Sequence, residues 1–325
     1  SGSDHQFYPP MSGQLEALGV EMIQGYDTVN LPEADLFVIG NALSRGNSSV
    51  EHILNAKLPC TSGPQMLGEM IKDKTVIAVA GTHGKTSTAF MLCEIFQYQA
   101  IDIGYLVGGV SQSIQSSAQL GSAGIFVIEA DEYDSAFFDK RSKFVHYHPD
   151  TLIVNNIEFD HADIFSNLLD ILKQFHHVIR TIPADGNILI RPEGDNMSAL
   201  MDMGCWSHVH KIGTIETIAI DMTKNILSFG NEIFNLNTLP FNGMHNYQNA
   251  IMAMYAAFLH GVAPRDSFKA LESFTGVKRR FETIYHDQDF IVIDDFAHHP
   301  TAIASTTAKA KGLFAQKFLV IIEIG

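Results

Sequence analysis

Basic residues are scarce in this chain: 21 lysines and arginines stand against 36 aspartates and glutamates in 325 residues, a formal net charge of −15. A surface of that sign repels a phosphate backbone, so nucleic acid is not an expected partner. Small anions stay possible wherever backbone amides and a few cations receive them locally. Cysteine is scarcer still. Cys60, Cys93 and Cys205 are too widely spaced for a disulfide framework or a zinc knuckle, and a reducing compartment is the simplest expectation. No run approaches the roughly 18 apolar residues that a spanning helix needs, so membrane insertion is not expected. The opening SGSDHQFYPP has no basic region leading into an apolar one, and no signal peptide is read there. Internal repeats and low-complexity segments are also lacking.

What is present is an alternation of short β-branched runs with longer helical patterns, the mark of α/β architecture with parallel strands and crossover helices. Strands are predicted at 35–39, 75–81, 124–130, 151–157, 187–192 and 291–296, with a last one in KFLVIIEI. Helices are predicted at 48–56, 86–98, about 163–180, 246–260, over RDSFKALESF and at 300–311, with short strands or hairpins over 205–240. Three units are expected: residues 1–71, residues 72–280 as a central domain, and residues 281–325 as the start of another. The last is about 45 residues, below the roughly 50–200 of ordinary domains, and the chain opens in what reads as the end of a strand. A fragment, or a chain with residues missing, is the expectation.

The central motif is VIAVAGTHGKTSTA, residues 76–89. A phosphate cradle needs glycines that let amides approach, a helix N-terminus and a cation. Gly81 and Gly84 supply the first, the helix near Thr86 the second and Lys85 the third. The Thr86 hydroxyl can complete a Mg²⁺ shell, which favours oxygen ligands shared with phosphates. The spacing is two residues shorter than G-x-x-x-x-G-K-[ST], because Val79 stands where the first glycine would be. A turn whose glycines serve geometry alone is the bland alternative, and His83 on its own reads as an exposed loop histidine.

Two further strand ends carry polar chemistry. GIFVIEADEYD places Glu129 first after four apolar residues, at the C-terminal edge of a parallel sheet where ligands gather, with Asp131 and Glu132 behind it. TLIVNNIEFDHADIF carries Asp160 and His161, a pair able to ligate a metal or hold a phosphate oxygen. A solvated acidic turn and a surface histidine are the plainer readings.

Taken in order, these residues resemble the Mur ligase family. Its short loop G-T-x-G-K-[ST] matches Gly81-Thr82-His83-Gly84-Lys85-Thr86 without a gap. Glu129 in E-A-D-E, Asn155-Asn156-Ile157-Glu158 before Asp160-His161, and His245-Asn246-Tyr247-Gln248-Asn249-Ala250 follow. Arg279-Arg280-Phe281 and Asp294-Asp295-Phe296-Ala297-His298-His299-Pro300-Thr301 complete the set, which spans almost the whole chain. The resemblance implies a Rossmann-like N-terminal domain for a UDP-sugar, a central P-loop-type ATPase domain with a mainly parallel sheet, and an incomplete Rossmann-like C-terminal domain for the amine substrate. It implies ATP and Mg²⁺, a carboxylate phosphorylated by ATP, and an amine attacking the acyl phosphate, in the cytoplasm of a bacterium.

By the same resemblance Gly81, Thr82, His83, Gly84, Lys85, Thr86 and Ser87 form the ATP loop. Lys85 contacts the transferring phosphates, Thr86 binds one Mg²⁺, and Glu129 with His161 serves a second metal. Asn249 reads adenine, Arg280 and Asp295 hold the ribose and phosphate side, and His298 lies near the amine. EADEYDSAFFDKRSKF, together with YPPMS, IGNA and SRGN, resembles the recycling branch. That branch joins UDP-N-acetylmuramate to the murein tripeptide L-alanyl-γ-D-glutamyl-meso-diaminopimelate. A sister branch adds L-alanine alone and shares the Asp-Asp-x-x-His-His-Pro-Thr run.

Departures are plain. The glycine turn for the UDP diphosphate and most of the amine-substrate domain lie outside this sequence, and 213–219 is compressed against the family pattern. Lys173 is the single lysine on the helix after His161, and the metal-holding role of a carbamylated lysine is not assigned to it. Another P-loop kinase or nucleotidase, and a UDP-sugar-binding module with a lapsed ATPase, stand as alternatives.

Overall fold

The computed structural model describes residues 1–9, 11–111, 113–114, 116–159, 165–192, 194–279, 281–287, 290–297, 300–313 and 319–321. The chain forms two compact units, residues 1–73 with 131–148, and residues 74–130 with 149–325.

In the first unit, β1 (Gly2–Asp4) pairs in parallel with β2 (Met22–Gln24), and β3 (Phe37–Ile39) with β4 (Cys60–Ser62). Helix α1 (Met11–Ala17) connects β1 to β2, α2 (Ser48–Asn55) lies between β3 and β4, and α3 (Gly63–Ile71) follows β4. Asn47 caps α2 by accepting from the Val50 amide, and Ser62 caps α3 from the Gln65 amide with Pro64 in the first turn. Residues 131–148 also belong to this unit, although they lie within the stretch 72–280 read from sequence as the central domain. Their 3₁₀ segment Lys143–Tyr147 lies against α3, where Gly68 faces the His146 carbonyl so closely that no side chain would fit. Asp139 ties this segment together: it accepts two bonds from the Arg141 guanidinium and one from the Arg141 amide, and meets His146 at 2.9 Å.

The second unit is built on a seven-stranded sheet. Its strands are β5 (Thr75–Ala80), β6 (Gly104–Leu106), β7 (Ala118–Gln119) and β8 (Ile125–Glu129), then β11 (Thr151–Val154), β12 (Asn187–Ile190) and β13 (His208–Lys211). The intervening β9 (Asp134–Ala136) and β10 (Asp139–Ser142) form an antiparallel hairpin in the first unit. The sheet order is β13-β12-β11-β5-β8-β6-β7, parallel except for the β6–β7 edge. Val76 to Ala80 are all buried, as expected of a central parallel strand covered on both faces.

Behind β5 runs α4 (Lys85–Tyr98), buried nearly all round, with Phe90 and Phe96 fully enclosed. Enclosing side chains of that size contributes about 1.5–3 kcal/mol each. Its neighbour α7 (Met244–Leu259) presents Ala250, Ala253, Ala256 and Ala257, all fully buried, and small side chains let helix axes approach closely. The helices α5 (Leu168–Ile179) and α8 (Pro264–Glu272) follow the predicted pattern, and α6 (Asp195–Asp202) is an additional helix with no counterpart among the predicted ones. The hairpin region also follows the prediction and becomes the antiparallel meander β14 (Ile218–Asp221), β15 (Ile226–Phe229) and β16 (Glu232–Asn235). After it, β17 (Glu282–His286) pairs antiparallel with β18 (Ile291–Asp294), and α9 (Pro300–Leu313) follows. The strand expected in KFLVIIEI is not seen at residues 319–321, and its other residues lie outside the described ones.

No helix among the described residues is long and apolar enough to cross a membrane. Burial holds His146, His210 and His260 below the ordinary histidine range; Asp139 opposes the shift at His146, and Asp150 opposes it at His260. A depressed histidine means that the unfolded chain binds more protons in acid. The stabilisation is therefore complete above the unfolded value, about 6.5, and is lost as pH falls below it. Melting temperature is expected to drop by roughly 2–4 °C or more between pH 7 and pH 5. A thermal melt unchanged over that interval would contradict this. Asp139, held at about 2 by the Arg141 guanidinium despite its burial, adds a loss only in stronger acid.

Candidate active site

The site forms where the sheet changes direction. The chain runs from β5 outward through β6 to β8 on one side, then returns to β11 on the other, so three strand ends flank one crevice. Ligands collect at such switch points, outside the carboxyl ends of the strands. Gly81 leaves β5 at φ 130 and Gly84 sits at φ 81, the left-handed region that glycine enters without strain. Space excludes other residues as well. A Cβ on Gly81 would lie 2.9 Å from the Asn156 carbonyl oxygen, and one on Gly84 would lie 2.6 Å from Asn249 Oδ1. Gly84 is the N-cap of α4 and offers no side-chain cap, so the positive helix end is left to an anion.

Lys85, the first residue of α4, folds its Nζ back to donate to the Gly81 carbonyl at 2.7 Å. One turn along the crevice, Thr86 Oγ1 donates to Glu129 Oε1 at 2.7 Å, and the Gly108 amide donates to Glu129 Oε2 at 2.8 Å. The resemblance gives Thr86 and Glu129 to separate metals, whereas here the two side chains meet directly. The buried hydroxyl and the half-buried carboxylate are the kind of hard oxygen groups that Mg²⁺ takes. Among the described residues no three His, Cys, Asp or Glu side chains converge on a metal-binding point. His161, the further ligand implied, lies outside the described residues, as do Arg280 and His298.

Thr82 and His83 face β11. Thr82 Oγ1 accepts from the Glu158 amide at 2.9 Å, and His83 Nε2 stands 3.7 Å from Glu158 Oε2. Ser87 lines a cavity of about 470 Å³ whose wall includes Phe241, Asn242, Asn246, Phe274 and Lys309. Asn249 Oδ1 lies against Gly84 of the phosphate loop, and Asn242 and Asn246 line the cavity. Asp295, just past β18, accepts from the Ala297 amide. It pulls upward on the pKa of Lys309, yet burial dominates and lowers the ammonium. Lys309 Nζ stands 3.9 Å from the Phe281 ring centre. His245 is lowered by burial and by Lys309, with Asp295 opposing.

Sequence reasoning missed four contributors. The Gly108 amide was signalled only by the Gly108-Gly109 pair after an apolar strand. Lys309 belongs to no motif. Asn155 and Asn156 were noted for position, without a role.

Loop, helix end and paired oxygens together form an anion-receiving crevice at the carboxyl end of a parallel sheet. Two family models match the chain: the Mur ligase middle domain over residues 79–257, and the Mur ligase family catalytic domain over residues 1–75. A UDP-N-acetylmuramate–L-alanyl-γ-D-glutamyl-meso-2,6-diaminoheptandioate ligase of Escherichia coli (strain K12) is 48% identical over 321 residues, covering 96% of this chain and 70% of its own length. A UDP-N-acetylmuramate–L-alanine ligase of a Psychrobacter species (strain PRwf-1) is 32% identical, with 99% and 69% covered. Among solved structures, a murein peptide ligase from Psychrobacter arcticus 273-4 superposes with TM-score 0.83 at 41% identity, over 97% of this chain and 71% of that one. The chain belongs to the Mur ligase family. It is a ligase of the ATP-dependent, amide-forming class.

Proposed function

We propose that this chain joins the lactyl carboxylate of UDP-N-acetylmuramate to the α-amine of L-alanyl-γ-D-glutamyl-meso-diaminopimelate, with ATP cleaved to ADP, in bacterial peptidoglycan recycling. The observation that carries the tripeptide over free L-alanine is the gap in likeness: 48% identity to a relative named for the tripeptide, against 32% to one named for L-alanine.

The reaction has two steps. A carboxylate oxygen attacks the γ-phosphorus and ADP leaves with the electron pair of the broken P–O bond. The amine nitrogen then attacks the acyl carbon, phosphate leaves, and the nitrogen loses a proton. Charge gathers on the transferring oxygens in the first step, and preorganised cations and amides offset it. The helix N-terminus at Gly84 receives the phosphates, and the Lys85 ammonium leaves the Gly81 carbonyl to meet them. Thr86 and Glu129 would hold Mg²⁺, which supplies neutralisation of the phosphate oxygens when bound. The aromatic and asparagine wall of the cavity beside Ser87, which includes Lys309, suits the base, and Asp295 keeps the ribose-side role that the resemblance gives it. His161, Arg280 and His298 keep the roles the resemblance gives them.

ADP release from the full-length protein is expected to require UDP-N-acetylmuramate and the tripeptide together. Equal release with the tripeptide omitted would place the chain with kinases or nucleotidases.

A further inference from the structure

The phosphate loop is short, and its first half is already occupied. The Thr82 amide donates to the Asn156 carbonyl at 3.1 Å, and the His83 amide donates to Asn156 Oδ1 at 2.7 Å. Asn156 Nδ2 returns a bond to the His83 carbonyl at 3.2 Å. Asn156 therefore grips the peptide units on both sides of His83, with three hydrogen bonds from one residue. Next to it, Asn155 is 2% exposed; its Nδ2 donates to Thr88 Oγ1 on α4 at 3.0 Å, and its carbonyl accepts from Arg191 Nε at 2.8 Å. The Asn155 Oδ1 has no hydrogen-bond partner among the described residues.

A longer cradle wraps a phosphate with successive loop amides. Here the amides of Thr82 and His83 point to β11, so the anion is left to the helix end that begins at Gly84. We propose that Asn156, supported by Asn155, is a positioning residue that takes the place of loop length. By stapling residues 82–83 to the neighbouring strand end, it holds Gly84 and the start of α4 in the anion-receiving conformation. This rests on the nucleotide reading of the site. Without the staple the loop samples other conformations, and apparent affinity falls by the fraction that remains competent. The loss appears in nucleotide binding, since the groups that meet the transferring phosphoryl are unchanged.

Two variants of the full-length protein separate this from a merely structural role. Asn156→Ala removes both side-chain bonds. Asn156→Asp keeps the bond from the His83 amide, now to a charged acceptor, and replaces the donor with an oxygen that faces the His83 carbonyl. For Asn156→Ala, KM for ATP and the dissociation constant for Mg²⁺·ADP are expected to rise about tenfold or more, with kcat within about threefold. Amide hydrogen exchange over residues 81–86 should rise in Asn156→Ala and stay near the wild-type rate in Asn156→Asp. Unchanged Mg²⁺·ADP affinity in Asn156→Ala, or an equal loss of UDP-N-acetylmuramate binding, would overturn the proposal. Should Asn156→Ala fail to fold, Asn156→Asp decides: kept loop protection supports the staple and lost protection refutes it. Wild-type protein that did not bind Mg²⁺·ADP would instead refute the nucleotide reading itself.

Discussion

Replacing Lys85 with alanine is expected to lower kcat/KM for ATP by about three orders of magnitude while the fold survives. The ammonium is the one loop cation, and it starts α4 at the mouth of the crevice. Removing a preorganised charge that acts where transition-state charge develops typically costs about 10²–10³ in rate for a single neutral donor, and a cation facing a triphosphate contributes at least that. Its bond in this structure is to the Gly81 carbonyl, which water can replace in a half-exposed loop, so stability changes little, within about 0.5 kcal/mol. Steady-state ADP release and a thermal melt measured together check both halves. Turnover retained in Lys85→Ala would show that the loop does not serve the chemistry.

Glu129 should be nearly as sensitive, for a different reason. Its two oxygens are each occupied, Oε1 by the Thr86 hydroxyl and Oε2 by the Gly108 amide. Glu129→Gln preserves shape but turns one oxygen into an NH₂ group. If that group faces Gly108, donor meets donor; if it faces Thr86, the hydroxyl turns from donor to acceptor. Either way the charge that Mg²⁺ needs is gone. The Mg²⁺ concentration for half-maximal activity is expected to rise about 10–100-fold, the usual range when a metal site loses a key group. A magnesium titration at saturating ATP measures it, and an unchanged midpoint would remove Glu129 from the metal site.

The parts of the site legible in the sequence are those where local pattern and chemistry coincide. VIAVAG announces a buried parallel strand, Gly-Lys-Thr announces the helix behind it, and Glu129 stands out as the first polar residue after an apolar run. β13 was harder to place in the sheet, because His208, Val209, His210 and Lys211 pair along its open edge and carry no apolar run. β6 is only Gly104–Leu106, too short to give a period. The membership of 131–148 in the first unit depends on packing against α3 at Gly68, a contact between residues far apart in sequence. β11 stops at Val154, three residues before the predicted end, because Asn155 and Asn156 turn from strand pairing to the loop. Their type was visible in the sequence. Their partners Thr82, His83 and Thr88, 67–74 residues away, required the fold.

The most direct test of the central claim offers full-length protein UDP-N-acetylmuramate, ATP and Mg²⁺ with the tripeptide and L-alanine in equal amounts, then weighs the products by mass spectrometry. The account predicts UDP-N-acetylmuramoyl-tripeptide as the main product, formed one for one with ADP. UDP-N-acetylmuramoyl-L-alanine as the main product would contradict it.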